Sequence, residues 1–147
     1  MYHRILVATD NSKLSRKAEK TAIELAAATG ANLVAMHVIP DYPMSYFEGG
    51  ITVSAAEVAK LEASWADKGR AIVDAVVASA AQSGVKARGV IAHSDHVADT
   101  LVAGARKHKC DLIVMASHGR RGIRRVLLGS ETQHVLTHST VPVLVLR

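Results

Sequence analysis

One stretch near the start of the chain decides the fold: residues 3–39, which read HRILVATDNSKLSRKAEKTAIELAAATGANLVAMHVI. Its first run, 3–9, is uninterrupted and rich in β-branched residues, which is typical of a strand buried on both faces. After an Asn-Ser pair that suits a helix N-cap, alanine and leucine recur at helical spacing until Gly30. A second apolar run follows at 31–39. The stretch therefore predicts a strand, a helix and a second strand.

The same alternation continues to the end of the chain. Proline and a Gly-Gly pair leave 41–53 without a sustained period, so we interpret that range as an irregular segment. The later predicted elements are a helix over 54–83, a strand over 85–92, a helix after the capping residues Ser94 and Asp95, a strand over 111–116, a short helix from Ser130 and a strand over 141–147.

This order of elements predicts the architecture. Strands that alternate with helices form a parallel sheet with right-handed crossovers and helices on both faces. We therefore expect an α/β fold: a single doubly wound domain over residues 1–147, with a five-stranded parallel sheet in the order 3-2-1-4-5.

Composition restricts the class of protein. Of the 147 residues, 49% are apolar but only five are aromatic, so the core consists mainly of Val, Leu, Ile and Ala. The single cysteine, Cys110, has no partner for an internal disulfide and fits a reducing compartment. No apolar run approaches the roughly 18 residues of a membrane span. We expect a soluble, cytoplasmic protein with no membrane partner.

The net charge of +5 depends on one short region. Without Arg120, Arg121, Arg124 and Arg125 it falls to +1. Such a local excess favours a local anion over a long polyanion. Because no aromatic residue lies among these arginines to stack on bases, nucleic acid is not an expected partner.

The predicted strand order also predicts the position of a ligand-binding crevice. Ligands of doubly wound sheets bind beyond the carboxyl ends of the strands, where the winding direction reverses. In a 3-2-1-4-5 order, strands 1 and 4 are neighbours at that point. Thr9 and Asp10, which follow strand 1, are therefore expected beside ASHGRRGIRRVLLGS, the stretch over 116–130 that follows strand 4.

That second stretch has the features of a phosphate-binding loop. Gly119 and Gly122 offer unhindered backbone N–H groups, and Gly129 and Ser130 lead into a helix N-terminus. An alternative is that Ser130 and the Gln three residues later form a capping box, which satisfies the same amides without a ligand. The two interpretations are compatible. The chain contains neither the P-loop pattern nor the dinucleotide fingerprint.

At this point the sequence resembles a known family. ASHGRRGIRRVLLGS, followed by ETQHVL and VPVLVLR, is similar to the C-terminal signature of universal stress proteins, and RILVATDNS and DLIVMAS resemble the same family. The resemblance extends over the whole chain. Nucleotide-binding members carry G-x2-G-x9-G-[ST], and this chain has Ala116, Gly119, Gly129 and Ser130 at those positions, with alanine in place of the first glycine.

The resemblance implies ATP in the crevice, with Mg or Mn. Asp10 would lie near the ribose or the metal, and the backbone around Val38 would meet adenine. Ala116 and Gly119 would line the ribose and phosphates, while Gly129 and Ser130 would hold the phosphate tail. The neighbouring positions complete the expected binding set: Ala8, Thr9, Ser117, His118, Arg120 and Glu131.

The last predicted strand, 141–147, points to a homodimer. Both of its faces are apolar, and it lies at the edge of the sheet, where unpaired backbone groups and apolar side chains invite association. Universal stress proteins commonly pair this strand with its two-fold mate, so the resemblance implies the same contact here. A protein partner is also expected, but the sequence does not identify it.

Several other residues resemble metal-binding or catalytic groups but have simpler explanations. His134 and His138 have a zinc-compatible spacing without an evident third ligand, so a surface pair is the better interpretation. The run His93–His96 contains Ser, His and Asp, the residue types of a catalytic triad. The members of a real triad come from separate segments of the chain, so this run is not interpreted as one. Cys110 has no C-x-x-C partner and is interpreted as structural. We nominate no catalytic residue and no metal ligand.

Three functions remain open at this stage. The first is an ATP-binding universal stress protein that acts as a small regulatory module with at most slow hydrolysis. The second is an adenylating or ATP-hydrolysing enzyme, for which 41–53 is the only segment available to build a second pocket. The third is a dimerisation module without nucleotide, which the glycines at 119 and 129 disfavour.

Overall fold

The computed structural model describes residues 1–41, 54–119 and 128–147. Strands and helices alternate through these ranges as expected. Their bounds are β1 Arg4–Ala8, α1 Lys13–Thr29, β2 Asn32–Ile39, α2 Ala55–Gln82, β3 Ala87–His93, α3 Val97–Lys107, β4 Leu112–Ala116, α4 Ser130–His138 and β5 Val143–Leu146. The predicted irregular segment, except Asp41, lies outside the described residues, as do 120–127 with their four arginines and Gly122.

The five strands form one parallel sheet in the order β3-β2-β1-β4-β5, which confirms the predicted topology. β1 lies at the centre and pairs with both β2 and β4: Ile5 is opposite Leu33 on one side and Leu112 on the other. The sheet therefore reverses its winding direction between β1 and β4.

Helices cover both faces of the sheet, also as predicted. Ile5 and Val7 pack with buried residues of α1 and α2 in one core cluster. Leu6, between them, belongs to a second cluster with residues of α3 and α4. Because successive side chains of a strand point to opposite faces, a strand covered on both sides needs apolar residues at every position. This explains the continuous apolar run at the start of the chain.

Local signals set the ends of α1 and α2. Ser12 is the N-cap of α1 and its side chain accepts a hydrogen bond from the Ser15 amide. Gly30 ends the same helix in the left-handed conformation, with φ +71°. A reciprocal capping box between Ser54 and Glu57 opens α2.

Two predicted caps are wrong. The N-cap of α3 is His96 and not the Ser94-Asp95 pair, and no side chain caps it from within that turn. Instead, the carboxylate of Glu131 in α4 accepts a hydrogen bond from the Ala98 amide at 2.8 Å. A side chain from another element has taken the place of a local cap.

The second wrong cap is at α4. Its N-cap is Gly129, so Ser130 is the first helical residue and does not form a capping box with Gln133. The physical reason is tertiary: the Gly129 amide donates to the Ser117 carbonyl oxygen at 2.8 Å, which holds the chain at the end of β4 as the helix begins. The Gln133 side chain donates to the Leu128 carbonyl oxygen instead.

None of the helices in the described ranges is both long and apolar enough to cross a membrane.

Candidate functional site

The carboxyl ends of β1 and β4 form a crevice in which two predicted groups meet. The strands pair through Val7 and Val114, so the chain leaves both at the same edge of the sheet. Beyond that edge, Gly119 approaches the side chain of Asp10. A Cβ atom built on Gly119 would lie 2.7 Å from Asp10 Oδ2. The structure thus brings the turn after β1 and the glycine loop after β4 together, as the strand order predicts.

The turn after β1 orients Asp10. Its Oδ1 atom accepts a hydrogen bond from the Ser12 amide at 2.9 Å. Asn11 between them has φ 62°, a left-handed conformation that asparagine tolerates better than most residues. Because Ser12 is the N-cap of α1, Asp10 is not needed as the helix cap.

Two residues outside the predicted site, Glu19 and His37, hold this turn in place. The buried hydroxyl of Thr9 donates to the carboxylate of Glu19 in α1. His37 Nδ1 donates to the Thr9 carbonyl oxygen at 2.8 Å, because a carbonyl oxygen only accepts. His37 had a signal in the sequence, since it is a polar residue that interrupts the apolar run 33–39. Glu19 had none, because only the folded chain brings it to Thr9.

The surroundings of Glu19 shift its protonation. Burial raises the pKa of the Glu19 carboxyl above its usual 4.5, and the nearby charge of Asp10 acts in the same direction. The hydrogen bond from Thr9 and the charge of Arg16 oppose this. Two carboxyl groups therefore stand close together behind the crevice, an arrangement that favours a cation near Asp10.

The loop after β4 is tied to the start of α4. The Ser117 carbonyl oxygen accepts hydrogen bonds from the Gly129 amide at 2.8 Å and from the Thr132 hydroxyl at 3.0 Å. The same hydroxyl also donates to the Ala116 carbonyl oxygen. A Cβ atom on Gly129 would lie 3.2 Å from the Ser117 oxygen. Glycine at this position permits the close approach of the two segments.

The N-terminus of α4 has the features of an anion site. Its N-cap is a glycine, so within the described residues no N-cap side chain accepts the amides of the first turn. Ser130, the first residue of the helix, is exposed. The carboxylate of Glu131 reaches Ala98 in α3, so it stabilises the neighbouring helix. Unsatisfied N–H groups and the positive end of the helix dipole are the features that hold phosphate groups.

The remaining predicted site residues have clear positions, apart from Arg120, which lies outside the described ranges. Ala116 ends β4 without a positive φ, so alanine at the first motif position introduces no backbone strain. Ala8 and Val38 contact the cluster on the α3 and α4 side of the sheet. The His118 ring nitrogen Nδ1 lies 3.1 Å from the Ser117 hydroxyl oxygen.

The histidine pair of α4 has partners of its own. The rings of His134 and His138 stack at a centroid distance of 4.0 Å, and His134 Nε2 lies 2.6 Å from Asp99 Oδ1. In the part of the chain that the structure describes, no group of three or more His, Cys, Asp or Glu side chains is arranged to hold a metal.

A doubly wound parallel sheet with a glycine-lined crevice at its switch point defines a class of small α/β domains. Within this class the family is shown by sequence: a profile of the universal stress protein family matches residues 1–147, so the chain belongs to that family.

Individual relatives support the same family assignment. Universal stress protein MJ0531 of Methanocaldococcus jannaschii is 31% identical over all of this chain and 83% of its own length. The solved structure of protein MJ0577 is 25% identical with a TM-score of 0.83, and the match covers 99% of this chain and 96% of that one. A universal stress protein solved in complex with cAMP is 27% identical with a TM-score of 0.69, over 99% and 97% of the two chains.

Proposed function

We propose that this chain binds an adenine nucleotide, ATP together with Mg or Mn, in the crevice between β1 and β4, and acts as a small regulatory module. The observation that carries the proposal is the approach of Asp10 to Gly119 beside the N-terminus of α4, whose N-cap is a glycine. It is supported by the similar structure that contains cAMP, an adenine nucleotide.

The described residues fit the phosphate groups. Gly119 has no side chain to separate a phosphate from its backbone, and Gly129 leaves the first-turn amides of α4 without a capping side chain. Ser130 adds a hydroxyl that is exposed at the same helix start. These groups neutralise and orient the phosphate tail.

The described residues also fit a divalent cation. Mg and Mn prefer oxygen ligands, and a carboxylate together with phosphate oxygens is a usual set for them. Asp10 is the carboxylate of this crevice, and its position is fixed by the Ser12 amide. Such a cation would neutralise charge on the phosphates and link them to the turn after β1.

We nominate no residue as a catalyst. Among the described carboxyl groups near the crevice, Asp10 accepts from the Ser12 amide and Glu19 accepts from the Thr9 hydroxyl. Both therefore serve to organise the turn. Any hydrolysis is expected to be slow because an activated water needs a base in hydrogen-bond reach.

Calorimetric titration of ATP in the presence of Mg tests this site through Asp10→Asn. Asparagine keeps an oxygen for the Ser12 amide but removes the charge, so we expect the fold to persist and binding to weaken by roughly 1–3 kcal/mol, as for a lost charge-assisted contact. Asp74→Asn, an exposed position on α2, is the matched control. Wild-type protein that shows no heat of binding with ATP or AMP contradicts the proposal.

We further propose a homodimer formed through 141–147. β5 is an edge strand that pairs with β4 on one side. Its Leu144 side chain is 37% exposed, one of the few large apolar groups of the described residues at the surface. A two-fold contact between two copies of this strand would cover it.

One observation favours a second function, the adenylation of an acceptor. A cavity of about 210 Å³ lies at the carboxyl ends of β2 and β3 and offers a place for an acceptor. It is lined by Ile39, Pro40, Asp41, Glu62, Trp65 and His93. Its acidic groups suit an amine. Release of pyrophosphate from ATP only when an amine is added would favour this function over the regulatory one.

A further inference from the structure

The end of the sheet opposite the crevice is strongly basic. At this end the strands begin and the helices finish, and we call it the amino edge: residues 1–4, 29–32, 82–88, 106–112 and 138–143. These segments contain six Lys and Arg residues against a single acid, Asp111. The six basic residues are Arg4, Lys86, Arg88, Arg106, Lys107 and Lys109.

This charge is not part of an even distribution. Outside the amino edge and 120–125, the chain has eight Lys and Arg against twelve Asp and Glu, so the rest of it is net acidic. The positive excess of the protein therefore lies in two places, the arginine-rich loop and the amino edge. The second place has no role in the crevice, because it lies at the other end of the strands.

Two of the arginines are held in position by one histidine. Arg4 Nη1 donates to the His108 carbonyl oxygen at 2.7 Å, and Arg88 Nη2 lies 2.7 Å from His108 Nδ1. A guanidinium only donates, so Nδ1 accepts and the neutral ring carries its proton on Nε2. Burial lowers the pKa of His108, and the charges of Arg88, Lys107 and Arg4 lower it further. The histidine thus holds two guanidinium groups without adding to the charge.

Within the described residues, no carboxylate pairs with the six basic side chains. The ion pairs found there join His3 to Asp111, Lys20 to Glu24 and His134 to Asp99. Asp111, the one acid of the amino edge, accepts hydrogen bonds from the backbone amides of His3 and Arg4. The positive charge of this edge therefore has no acidic partner in the described part of the chain.

Lys109 gives independent evidence that charge matters here. It has φ 54°, a left-handed conformation that glycine adopts readily and lysine rarely. In the described ranges its backbone amide donates to Arg106, but its side chain makes no hydrogen bond or ion pair. Local folding favours glycine at such a helix end. Lysine adds a charge to the amino edge at a conformational cost.

We propose that the amino edge is a docking surface for an acidic segment of a partner protein, whose carboxylates pair with Arg4, Arg88 and Lys109. The planar fork of a guanidinium matches a carboxylate through two parallel hydrogen bonds. Each of the two arginines has five N–H donors, and His108 takes one from each.

Protein is favoured over nucleic acid by the lack of a stacking surface. Tyr2 is the only aromatic residue of the amino edge, and it packs against the core cluster on the α1 and α2 side. Single-stranded nucleic acid normally stacks its bases on such rings. Since the amino edge and the crevice lie at opposite ends of the strands, one molecule can hold the partner and a nucleotide together.

The test measures fluorescence anisotropy of a fluorescein-labelled oligoglutamate peptide with the full chain at low salt. Lys107→Ala/Lys109→Gly removes two edge charges, and we expect its Kd to rise about tenfold, a few-fold for each exposed cation. Glycine relieves the positive φ, so this variant is expected to unfold at no lower temperature than the wild type. Lys60→Ala/Lys68→Ala, with the same charge change on exposed positions of α2, is the control and should bind as the wild type does.

Three results would overturn the proposal. The first is that the wild type does not bind oligoglutamate. The second is an equal loss of oligoglutamate affinity in the edge and control variants. The third is tighter binding of an oligothymidylate of matched length that depends on the same two lysines. The last result would assign the surface to nucleic acid. Unchanged ATP affinity in the edge variant would show that docking is separate from the proposed nucleotide site. The docking proposal and the nucleotide proposal can therefore each fail without the other.

Discussion

Asp10 Oδ2 lies 2.7 Å from the point where a Cβ atom on Gly119 would stand. This distance is shorter than any contact a real Cβ tolerates, so in Gly119→Ala the Asp10 carboxylate has to move. The moving atom ends a flexible side chain, and we expect stability to change by no more than about 0.5 kcal/mol. Nucleotide affinity should fall by about fivefold, because Asp10 loses its orientation. Thermal unfolding and calorimetric titration measure the two effects.

A double-mutant cycle separates this indirect effect from a direct contact of Gly119 with the ligand. If Gly119→Ala acts by displacing Asp10, then Asp10→Ala/Gly119→Ala binds ATP as weakly as Asp10→Ala alone. Additive losses would instead show that the two residues meet the nucleotide independently.

Glu19→Gln should stabilise the protein in a manner that depends on pH. The folded-state pKa of Glu19 is raised above 4.5 by burial, so the folded state holds this proton more firmly than the unfolded state. The protonated Glu19 carboxyl therefore makes its full contribution to the free energy of unfolding below about pH 4.5. This contribution is lost as the pH rises through the folded-state pKa. Glutamine keeps an acceptor for Thr9 and carries no charge.

We therefore expect the melting temperature of Glu19→Gln to exceed that of the wild type at neutral pH and to match it near pH 4. Differential scanning calorimetry across this range provides the measurement. Glu24→Gln removes an exposed carboxylate from the same helix and serves as control. A gain of equal size at both pH values would mean that burial of the Glu19 charge is not its cause.

The elements and their order could be predicted because the information is local. A run such as 5–8 is apolar at every position only if both faces are covered, and Gly30 marks a helix end by its own conformational freedom. The order of the strands then followed from general rules of chain connection. The meeting of Asp10 with Gly119 is a consequence of that order.

What could not be predicted depends on contacts between distant residues. Ser94 and Asp95 have the chemistry of a cap, but Glu131 supplies it from another helix. Ser130 has the chemistry of an N-cap, but the bond from Gly129 to Ser117 moves that role one residue back. Glu19 reaches Thr9 only in the folded chain. A capping pattern in the sequence identifies the side chains that could accept a hydrogen bond from a helix amide. Which side chain accepts it depends on the tertiary contacts.

Cys110 is expected to be unreactive in the folded protein. Burial raises the pKa of its thiol to about 11. At about pH 8 the thiolate fraction is then about a hundredfold smaller than for a thiol of pKa 9, and thiolate is the reactive form. Reaction with a chromogenic disulfide reagent should proceed slowly in buffer and rapidly in guanidinium chloride. Equally fast reaction in both conditions would mean that Cys110 is accessible.

The proposed dimer should depend on Leu144, which is more exposed than its neighbours in β5. Val143 and Val145 contact the core cluster on the α3 and α4 side, so an acid there would damage the fold itself. Leu144 is 37% exposed, so Leu144→Asp should leave the monomer folded while two unpaired carboxylates enter a two-fold interface. We expect dimerisation to weaken by roughly a hundredfold or more, seen as a monomer in light scattering at micromolar concentration. Ala63→Asp, an exposed position on α2, should remain dimeric. A wild type that is already monomeric at that concentration, or a Leu144→Asp variant that stays dimeric, would show that β5 does not form the interface.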